Sequence, residues 1–173
     1  IFAAAFLIGI IGFIDDKYGL NVGGKLSLQI IPIIYLILFE NFNLNQIGDY
    51  NHFKLELNSF SVPFTLLSVI FLINSFNYFD GLDGTLSFTT ISTLSVLFFL
   101  IPNEKIHLYL FVILLPIIIF LLFNFSLFKL PKLFFGDSGS LLLGFIISFT
   151  AIYLANQKIV HPILVAFSVS IFV

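Results

Sequence analysis

Three stretches of the sequence concentrate carboxylates and amides in a chain that is otherwise rich in Phe, Leu and Ile. They read "GFIDDKYGL", "NSFNYFDGLDG" and "KLFFGDSGSLLLG", and their acidic and amide residues are Asp15, Asp16, Asn74, Asn77, Asp80, Asp83 and Asp137. Carboxylate and amide oxygens are hard ligands that suit Mg²⁺. Such groups are costly in apolar surroundings unless they pair or bind a ligand. These residue types therefore indicate chemistry that involves a divalent cation or a proton transfer.

The first stretch places Asp15 and Asp16 directly after an apolar run that predicts a helix over residues 1–14. A helix C-terminus already carries partial negative charge, and adjacent carboxylates repel each other. The pair is best explained by a nearby cation or by a proton-transfer role. The alternative is a solvated interfacial loop in which Lys17 serves as the local counter-ion.

The second stretch repeats polar residues every three positions, at Asn74, Asn77, Asp80 and Asp83. On an α-helix each step of three lags by about 60°, so Asp83 would point away from Asn74. All four can converge only if the helix ends near Asp80 and Gly81 and the chain turns at the glycines. The alternative is hydrogen bonding between helices by the two asparagines, followed by a simple C-terminal turn.

The third stretch contains a Gly-Asp-Ser-Gly-Ser turn that opens a predicted helix over residues 139–155. The N-terminus of a helix offers free N–H groups that suit phosphate, and Asp137 is a hard ligand that suits Mg²⁺. The alternative is that Asp137 or Ser138 only caps the helix. Lys129 and Lys132, which lie just before the turn, are either phosphate partners or interfacial lysines.

The elements that must position these residues are membrane helices. Of the 173 residues, 60% are hydrophobic and only 9% are charged, whereas soluble domains are about half apolar and a quarter charged. In lipid, apolar runs of this length satisfy their backbone hydrogen bonds as helices. We therefore expect a single integral membrane domain, 1–173, that is truncated at both ends. The sequence predicts an all-α polytopic protein with about seven transmembrane segments, at residues 1–14, 26–40, 61–79, 85–101, 106–128, 139–155 and from 162 to the end.

An even number of predicted spans separates each pair of polar stretches, so all three should lie on one face of the membrane. The lysines do not settle which face, because four lie on that side and three on the other, too small a difference for the positive-inside rule. The chain has no Cys, which excludes disulfides and thiolate metal sites. Its net charge of −2 gives no information about nucleic acid, and there is no basic block, so we expect no nucleic-acid partner.

In this order and spacing, the motifs "GFIDDKYGLNVGGK", "NSFNYFDGLDG" and "KLFFGDSGSLLLGF" resemble those of the polyprenyl-phosphate N-acetylhexosamine-1-phosphate transferase family. The resemblance covers nearly the whole chain. It implies an enzyme that transfers a sugar-1-phosphate from a UDP-sugar to polyprenyl phosphate, releases UMP and requires Mg²⁺, with Mn²⁺ as a substitute. It also implies the bacterial inner membrane, an active site at the cytoplasmic helix ends, and a homodimer as one assembly.

The resemblance also assigns roles residue by residue. Asp15 and Asp16 match the paired catalytic aspartates at the lipid phosphate, with the family's proposed base, and Lys25 matches a phosphate-binding lysine. Asp137 matches the main Mg²⁺ ligand, with Asn77 close to the metal. Phe134 matches an aromatic residue that stacks on uracil. The matches to the substrate-binding site are Lys25, Asn74, Asn77, Asp80, Asp83, Phe134, Gly136 and Ser140.

The spacing of "GLNVGGK" and the form "NSFNYFDG" resemble the branch of the family that initiates cell-envelope glycans such as lipopolysaccharide. This favours UDP-N-acetylglucosamine as the donor. The branch that makes lipid I, with phospho-N-acetylmuramoyl-pentapeptide as the transferred group, is the alternative. A cation-coupled transporter is an alternative from a different class, because intramembrane Asn and Asp residues also line ion pathways. A transporter should hold its acidic residues near the bilayer midplane, whereas these lie at predicted helix ends.

Overall fold

Six α-helices and one β-hairpin dominate the computed structural model, which describes residues 1–50, 53–159 and 161–163. The mainly helical fold that the composition predicts is confirmed. The strands β1 (Gln46–Tyr50) and β2 (Phe53–Glu56) pair antiparallel between the second and third helices. The helices are α1 (Phe2–Tyr18), α2 (Val22–Phe39), α3 (Ser61–Phe79), α4 (Thr85–Leu100), α5 (Glu104–Asn124) and α6 (Gly136–Asn156).

Local signals in the sequence set the ends of several helices. Asn21 caps α2, and its side-chain oxygen accepts a hydrogen bond from the Gly24 N–H at 2.7 Å. Asn103 caps α5 in the same manner. Gly19 ends α1 in the left-handed conformation, with a φ of +63°, which glycine adopts without steric cost. Residues 19–21 thus form a tight turn that places the start of α2 beside the end of α1.

Three predicted boundaries are wrong in a way that affects the polar residues. α6 begins at Gly136 rather than at residue 139, so Asp137 and Ser138 lie in its first turn. α1 continues to Tyr18 rather than stopping at residue 14, so Asp15 and Asp16 lie on the last turn of the helix. α2 begins at Val22 rather than at residue 26, which puts Lys25 in its first turn. The end of an apolar run marks where lipid contact stops, but the helical hydrogen bonds continue until a capping residue ends them.

The connection between α2 and α3, predicted as a loop, contains the β-hairpin, so the all-α prediction is wrong at this point. Asp49 and Lys54 lie opposite each other in the hairpin and form a salt bridge at 3.4 Å. Cross-strand pairs of this kind stabilise short hairpins, but two strands this short leave little periodic signal in a sequence. The predicted segment from residue 162 onward lies almost wholly outside the described residues.

Four stretches in the described part of the chain are helical, long and apolar enough to cross a membrane. They are α2, α5, α6 and Asn58–Phe79, which joins α3 to the short 3₁₀ turn before it; α4 is a shorter apolar helix. The protein is therefore a membrane protein with four candidate spans in these residues. The predicted count of about seven is not confirmed.

α6 is the central helix of the bundle, and it packs most closely against α1 and α3. Within the most apolar stretch of each helix, 67% of the residues are buried in α6 but only 11% in α5, so α5 lies at the periphery. Two apolar clusters flank α6. One joins it to α1, α2 and α3, and the other joins it to α3, α4 and α5. α6 is therefore packed from both sides over residues 141–154.

Two glycines allow this close packing. A Cβ at Gly12 would lie 2.5 Å from the carbonyl oxygen of Asp137 and from backbone atoms of Ser138, and a Cβ at Gly144 would lie 2.8 Å from the Ile73 Cα. Small residues that let backbones approach closely are typical of interfaces between membrane helices. Gly12 therefore brings the C-terminal part of α1 directly against the first turn of α6.

The predicted break after α3 is confirmed. α3 ends at Phe79, and residues 80–84 form a series of turns before α4 begins. Gly84 has a φ of +75°, a conformation that residues with a side chain rarely adopt. The turn lets Asp80 reach the start of α6, whereas Asp83 pairs with Lys132 elsewhere, so the four polar residues of this stretch do not all converge.

Candidate active site

The three polar stretches meet at one end of the bundle, as the count of crossings predicts. The last turn of α1, the first turns of α2 and α6, and the end of α3 converge there. Side-chain hydrogen bonds between residues 52 to 122 positions apart join these elements. Such distant contacts depend on the packing of the helices and on no single motif.

Lys25 lies at the centre of this convergence. Its Nζ is 2.7 Å from Asp15 Oδ2 and 2.6 Å from Asp137 Oδ2, and it donates a hydrogen bond to Asn77 Oδ1 at 3.0 Å. The side chains of Lys25 and Asp15 are only 13% and 9% exposed, so solvent screens the pair weakly. The ammonium is therefore the cation that the paired aspartates at the end of α1 led us to expect.

Asn77 orients the Asp137 carboxylate. Its Nδ2 donates to Asp137 Oδ1 at 2.7 Å and to Ser140 Oγ at 2.8 Å. Its side-chain oxygen, Oδ1, accepts the hydrogen bond from Lys25 Nζ. The Ser140 hydroxyl in turn donates to the Gly136 carbonyl oxygen at 2.8 Å. These contacts bring together five of the residues that the motifs single out. Asn77 holds Oδ1 of Asp137, and Lys25 holds Oδ2.

Asp16 has a different position from its neighbour, because it caps α6. Its Oδ1 accepts a hydrogen bond from the Asp137 N–H at 2.8 Å, and its Oδ2 accepts from the Ser138 N–H at 3.1 Å and from the Ser138 hydroxyl at 3.2 Å. A Cβ at Gly136 would lie 3.0 Å from this carboxylate. The alternative, in which Asp137 or Ser138 itself caps the helix, is therefore wrong.

Asp80 takes the remaining position at the start of α6. Its carboxylate accepts hydrogen bonds from the backbone N–H groups of Phe135 and Gly136. The pKa of Asp80 is raised to about 6, chiefly by burial and also by the negative charges of Asp137 and Asp16, while the two backbone hydrogen bonds act in the opposite direction. Protein carboxylates thus occupy the N–H groups at the start of α6, and the expectation that these groups are free for a phosphate is wrong for this structure.

Asp83 and Phe134 lie apart from the central cluster, on exposed loops. Asp83 forms a salt bridge of 2.6 Å with Lys132, and both side chains are 44% exposed. The same ammonium lies 5.1 Å from the centre of the Phe134 ring, which is 60% exposed. Lys132 thus has two protein partners, Asp83 and the Phe134 ring.

Asn74 lies about one turn further into α3, away from the carboxylates. Its Nδ2 donates to Gln29 Oε1 at 2.9 Å and to the Ile70 carbonyl oxygen at 2.8 Å. Gln29 is fully buried, and its Nε2 has no hydrogen-bond partner among the described residues. The structure therefore supports the interpretation of Asn74 as a link between helices, and it does not bring this residue into the central cluster.

Asn124 is a positioning residue that the sequence analysis missed. It ends α5 and is only 3% exposed. Its Oδ1 accepts a hydrogen bond from the Gly84 N–H at 2.7 Å, and its Nδ2 donates to the Leu133 carbonyl oxygen at 2.9 Å. One amide thereby ties the turn after α3 to the loop before α6. The only sign of this in the sequence is a lone amide at the end of an apolar run.

The donor set around Lys25 fits a hard divalent cation in type. Two carboxylate oxygens and one amide oxygen converge there, from Asp15, Asp137 and Asn77, and these are donors that Mg²⁺ accepts. In the described part of the chain, no group of three or more His, Cys, Asp or Glu side chains is arranged to hold a metal ion. The Asn77 amide oxygen is thus needed as the third ligand. In this structure the Lys25 ammonium occupies the position on which the three oxygens converge.

Carboxylates, amides and a lysine thus meet at the helix ends of a membrane protein with four candidate spans in its described residues. Comparison with known families makes this assignment specific. The chain belongs to glycosyl transferase family 4, whose family model matches residues 1–155. This match includes all three motifs and confirms the family that they indicate.

Curated relatives carry the names of two branches of this family. The undecaprenyl-phosphate alpha-N-acetylglucosaminyl 1-phosphate transferase of Yersinia pestis is 30% identical over 93% of this chain and 45% of the relative. The probable undecaprenyl-phosphate N-acetylglucosaminyl 1-phosphate transferase of Bacillus subtilis is 31% identical over 83% and 40%. The phospho-N-acetylmuramoyl-pentapeptide-transferase of Staphylococcus carnosus is 30% identical over 84% and 50%. The chain thus spans about half the length of the curated relatives it matches.

Proposed function

We propose that the chain carries the catalytic centre of a phosphoglycosyl transferase that moves a sugar-1-phosphate from a UDP-sugar to polyprenyl phosphate and releases UMP. The observation that carries this proposal is the junction at Lys25, which joins Asp15 of α1, Asn77 of α3 and Asp137 of α6. The names of the relatives from Yersinia and Bacillus favour N-acetylglucosamine-1-phosphate as the transferred group and undecaprenyl phosphate as its acceptor.

In the proposed reaction, an oxygen of the lipid phosphate attacks the β-phosphorus of the UDP-sugar. The bond from this phosphorus to the oxygen of UMP breaks, and UMP leaves. A phosphate monoester is largely ionised at pH 7, since its second pKa is about 6, so proton removal by an aspartate contributes little. Positioning and neutralisation of charge then supply most of the rate. Asp16 acts as a positioning residue in this proposal, because its carboxylate caps α6.

Mg²⁺ is the proposed cofactor, with Mn²⁺ as a substitute. Asp137, with Asp15 and the amide oxygen of Asn77 beside it, would hold the ion, because these oxygens converge on one point. Bound there, Mg²⁺ would neutralise negative charge on the diphosphate. Lys25 adds a second positive charge for the phosphates, and its flexible stem lets the ammonium reach them.

The proposed nucleotide side of the site comprises the turn after α3 and the loop before α6. The exposed ring of Phe134 offers a surface on which uracil can stack, and contacts of this type contribute about 1–3 kcal/mol per base. Lys132 lies beside the ring and pairs with Asp83, which provides two charged hydrogen-bonding groups on this side of the site. Asn124 holds the two segments at a fixed separation, which suits recognition of one ligand by both.

The proposed location is the bacterial inner membrane, with the site facing the cytoplasm. Membership of the family and the candidate spans support a membrane enzyme, and the orientation follows from a nucleotide-sugar donor on the cytoplasmic side. A homodimer stays a prediction from the resemblance.

The test measures UMP release from radiolabelled UDP-N-acetylglucosamine and undecaprenyl phosphate by the full-length protein in detergent with Mg²⁺. Equal amounts of UMP and lipid-linked sugar support the proposal. Turnover only with UDP-N-acetylmuramoyl-pentapeptide would assign the reaction named for the Staphylococcus relative. Labelled substrate that crosses proteoliposomes without UMP formation would instead indicate a transporter. The position of Asp15, Asp80 and Asp137 at helix ends argues against that outcome.

A further inference from the structure

The Lys25 ammonium occupies a point at which three side-chain oxygens converge, at 2.6, 2.7 and 3.0 Å. These distances suit a protonated amine, whereas Mg²⁺ takes its oxygen ligands at about 2.0–2.1 Å. Two cations at the same oxygens would repel each other strongly in a weakly screened site. The ammonium and a metal ion therefore cannot both take this position.

We propose that Lys25 competes with the divalent cation for Asp137 and Asp15, so that metal binding turns the lysine side chain away from these carboxylates. The inference rests on the proposed function in one respect, namely that the site takes a hard divalent cation. In this arrangement Lys25 is a removable counter-ion of the metal-free site. Its ammonium becomes available to a phosphate oxygen only when the metal has replaced it.

The geometry explains why the metal-free site needs a counter-ion. The Asp15 and Asp137 side chains are 9% and 30% exposed, and two carboxylates this close repel each other unless a cation lies between them. Lys25 enters from the first turn of α2 on a flexible four-carbon stem, so it can leave without movement of the helix. A lysine that permanently organises the carboxylates for the metal is the competing explanation, and it predicts the opposite effect of removing the ammonium.

The first experiment measures Mn²⁺ affinity, from the free-ion signal in electron paramagnetic resonance, for the full-length protein and for Lys25→Gln. We expect the variant to bind Mn²⁺ about tenfold more tightly, as for coupled binding equilibria of ordinary strength. Lys17→Gln is the matched control, because Lys17 carries the same charge beside Asp16 but contacts the Tyr18 ring, at 5.1 Å. Its affinity should stay within about twofold of the wild type. Equal or weaker binding by Lys25→Gln, or no binding by either protein, would overturn the inference.

The second experiment needs no variant and so does not depend on how Lys25→Gln folds. An amine-acylating reagent labels the wild-type protein with and without Mn²⁺, and mass spectrometry gives the rate at each lysine. Labelling of Lys25 should rise severalfold with Mn²⁺, because the ammonium leaves its carboxylates. Lys54, on the hairpin and 58% exposed, should not change. A constant or lower rate at Lys25 would contradict displacement.

The two proposals can fail separately. Mn²⁺ that displaces Lys25 in a protein without transferase activity would leave this inference standing and refute the proposed function. Mg²⁺-dependent UMP release together with unchanged Mn²⁺ affinity in Lys25→Gln would support the proposed function and refute this inference.

Discussion

The carboxylate of Asp16 accepts a hydrogen bond from the backbone N–H of Asp137 at 2.8 Å, so the last turn of one helix caps the first turn of another. The negative end of α1 and the positive end of α6 are thereby joined through a charged side chain. The neighbouring Asp15 faces the Lys25 ammonium instead. Two adjacent carboxylates are stable at a helix C-terminus because each has a different positive partner.

Removing the Asp16 carboxylate should destabilise the protein. Loss of a helix cap typically costs about 0.5–2 kcal/mol, and Asp16→Ala removes acceptors from two backbone N–H groups. We expect a lower melting temperature by circular dichroism in detergent, with a smaller loss in Asp16→Asn, which keeps one acceptor. If Asp16→Asn abolished UMP release at unchanged stability, Asp16 would be the catalytic base and its role as a cap would be secondary.

Asp137→Asn should lower Mg²⁺-dependent UMP release by at least about a hundredfold. The substitution removes the charge that faces Lys25 and the proposed metal, although the amide preserves the size of the side chain. Mn²⁺ binding, measured separately, should weaken in parallel. Asp49→Asn on the hairpin is the control, since Asp49 pairs with Lys54 far from the junction, and it should keep wild-type turnover. Near-normal activity of Asp137→Asn would remove this residue from the metal assignment.

Much of the site follows from helix counting and residue spacing. An even number of crossings predicts that Asp15, Asp80 and Asp137 share one membrane face. The contacts of these residues do bring them together at one end of the bundle, around the start of α6. The 60° lag per three residues predicts a break near Gly81, where α3 does end. Both arguments use only the periodicity of a single helix and the thickness of a membrane.

Which side chains pair with each other could not be predicted in this way. That Asp15 faces Lys25 while Asp16 caps α6 depends on how closely α1 and α6 approach, and Gly12 decides that. The amide of Asn124 joins two loops whose separation no motif encodes. The hairpin escaped notice because two short strands leave no periodic pattern long enough to detect.

Asp80 should make the stability of the metal-free protein depend on pH. Burial raises the pKa of Asp80 to about 6, so the folded state holds this proton more tightly than the unfolded state, whose pKa is near 4. The contribution of this proton to the stability of the folded state is fully present below about pH 4. It is lost as the pH rises through about 6.

The Asp80→Asn side chain imitates the protonated carboxyl group. The variant should therefore not lose stability as the pH rises through about 6. In EDTA, the melting temperature of the variant should exceed that of the wild type by more at pH 7.5 than at pH 4.5. The difference corresponds to about 1 kcal/mol or less, because Asp80 is only partly buried and solvent screens its charge. If the difference in melting temperature between variant and wild type stayed constant or shrank as the pH rose, burial of Asp80 would not be the cause of the pH dependence.

Asn124→Ala should loosen the nucleotide side of the site. The substitution leaves the Gly84 N–H and the Leu133 carbonyl oxygen without their partner, which costs about 1–3 kcal/mol for buried groups. We expect faster hydrogen exchange at Gly84 and a KM for the UDP-sugar that rises more than kcat falls. Asn156→Ala is the control, because Asn156 also donates one hydrogen bond to a backbone carbonyl, that of Asn43, at the other end of the bundle. An equal change of KM in both variants would refute a specific role of Asn124.

Gly12→Ala and Gly9→Ala test whether contact between α1 and α6 builds the site. A Cβ at Gly12 would lie 2.5 Å from backbone atoms of Asp137 and Ser138, whereas a Cβ at Gly9 would meet nothing within 4 Å. Overpacking against a backbone that cannot turn aside costs about 1–3 kcal/mol, and it should also separate Asp16 from the N–H groups it caps. We expect Gly12→Ala to lose both melting temperature and UMP release, and Gly9→Ala to be neutral or more stable, because alanine favours helix over glycine by about 0.5–1 kcal/mol. If the two variants behaved alike, the approach of these helices would not be what positions the carboxylates.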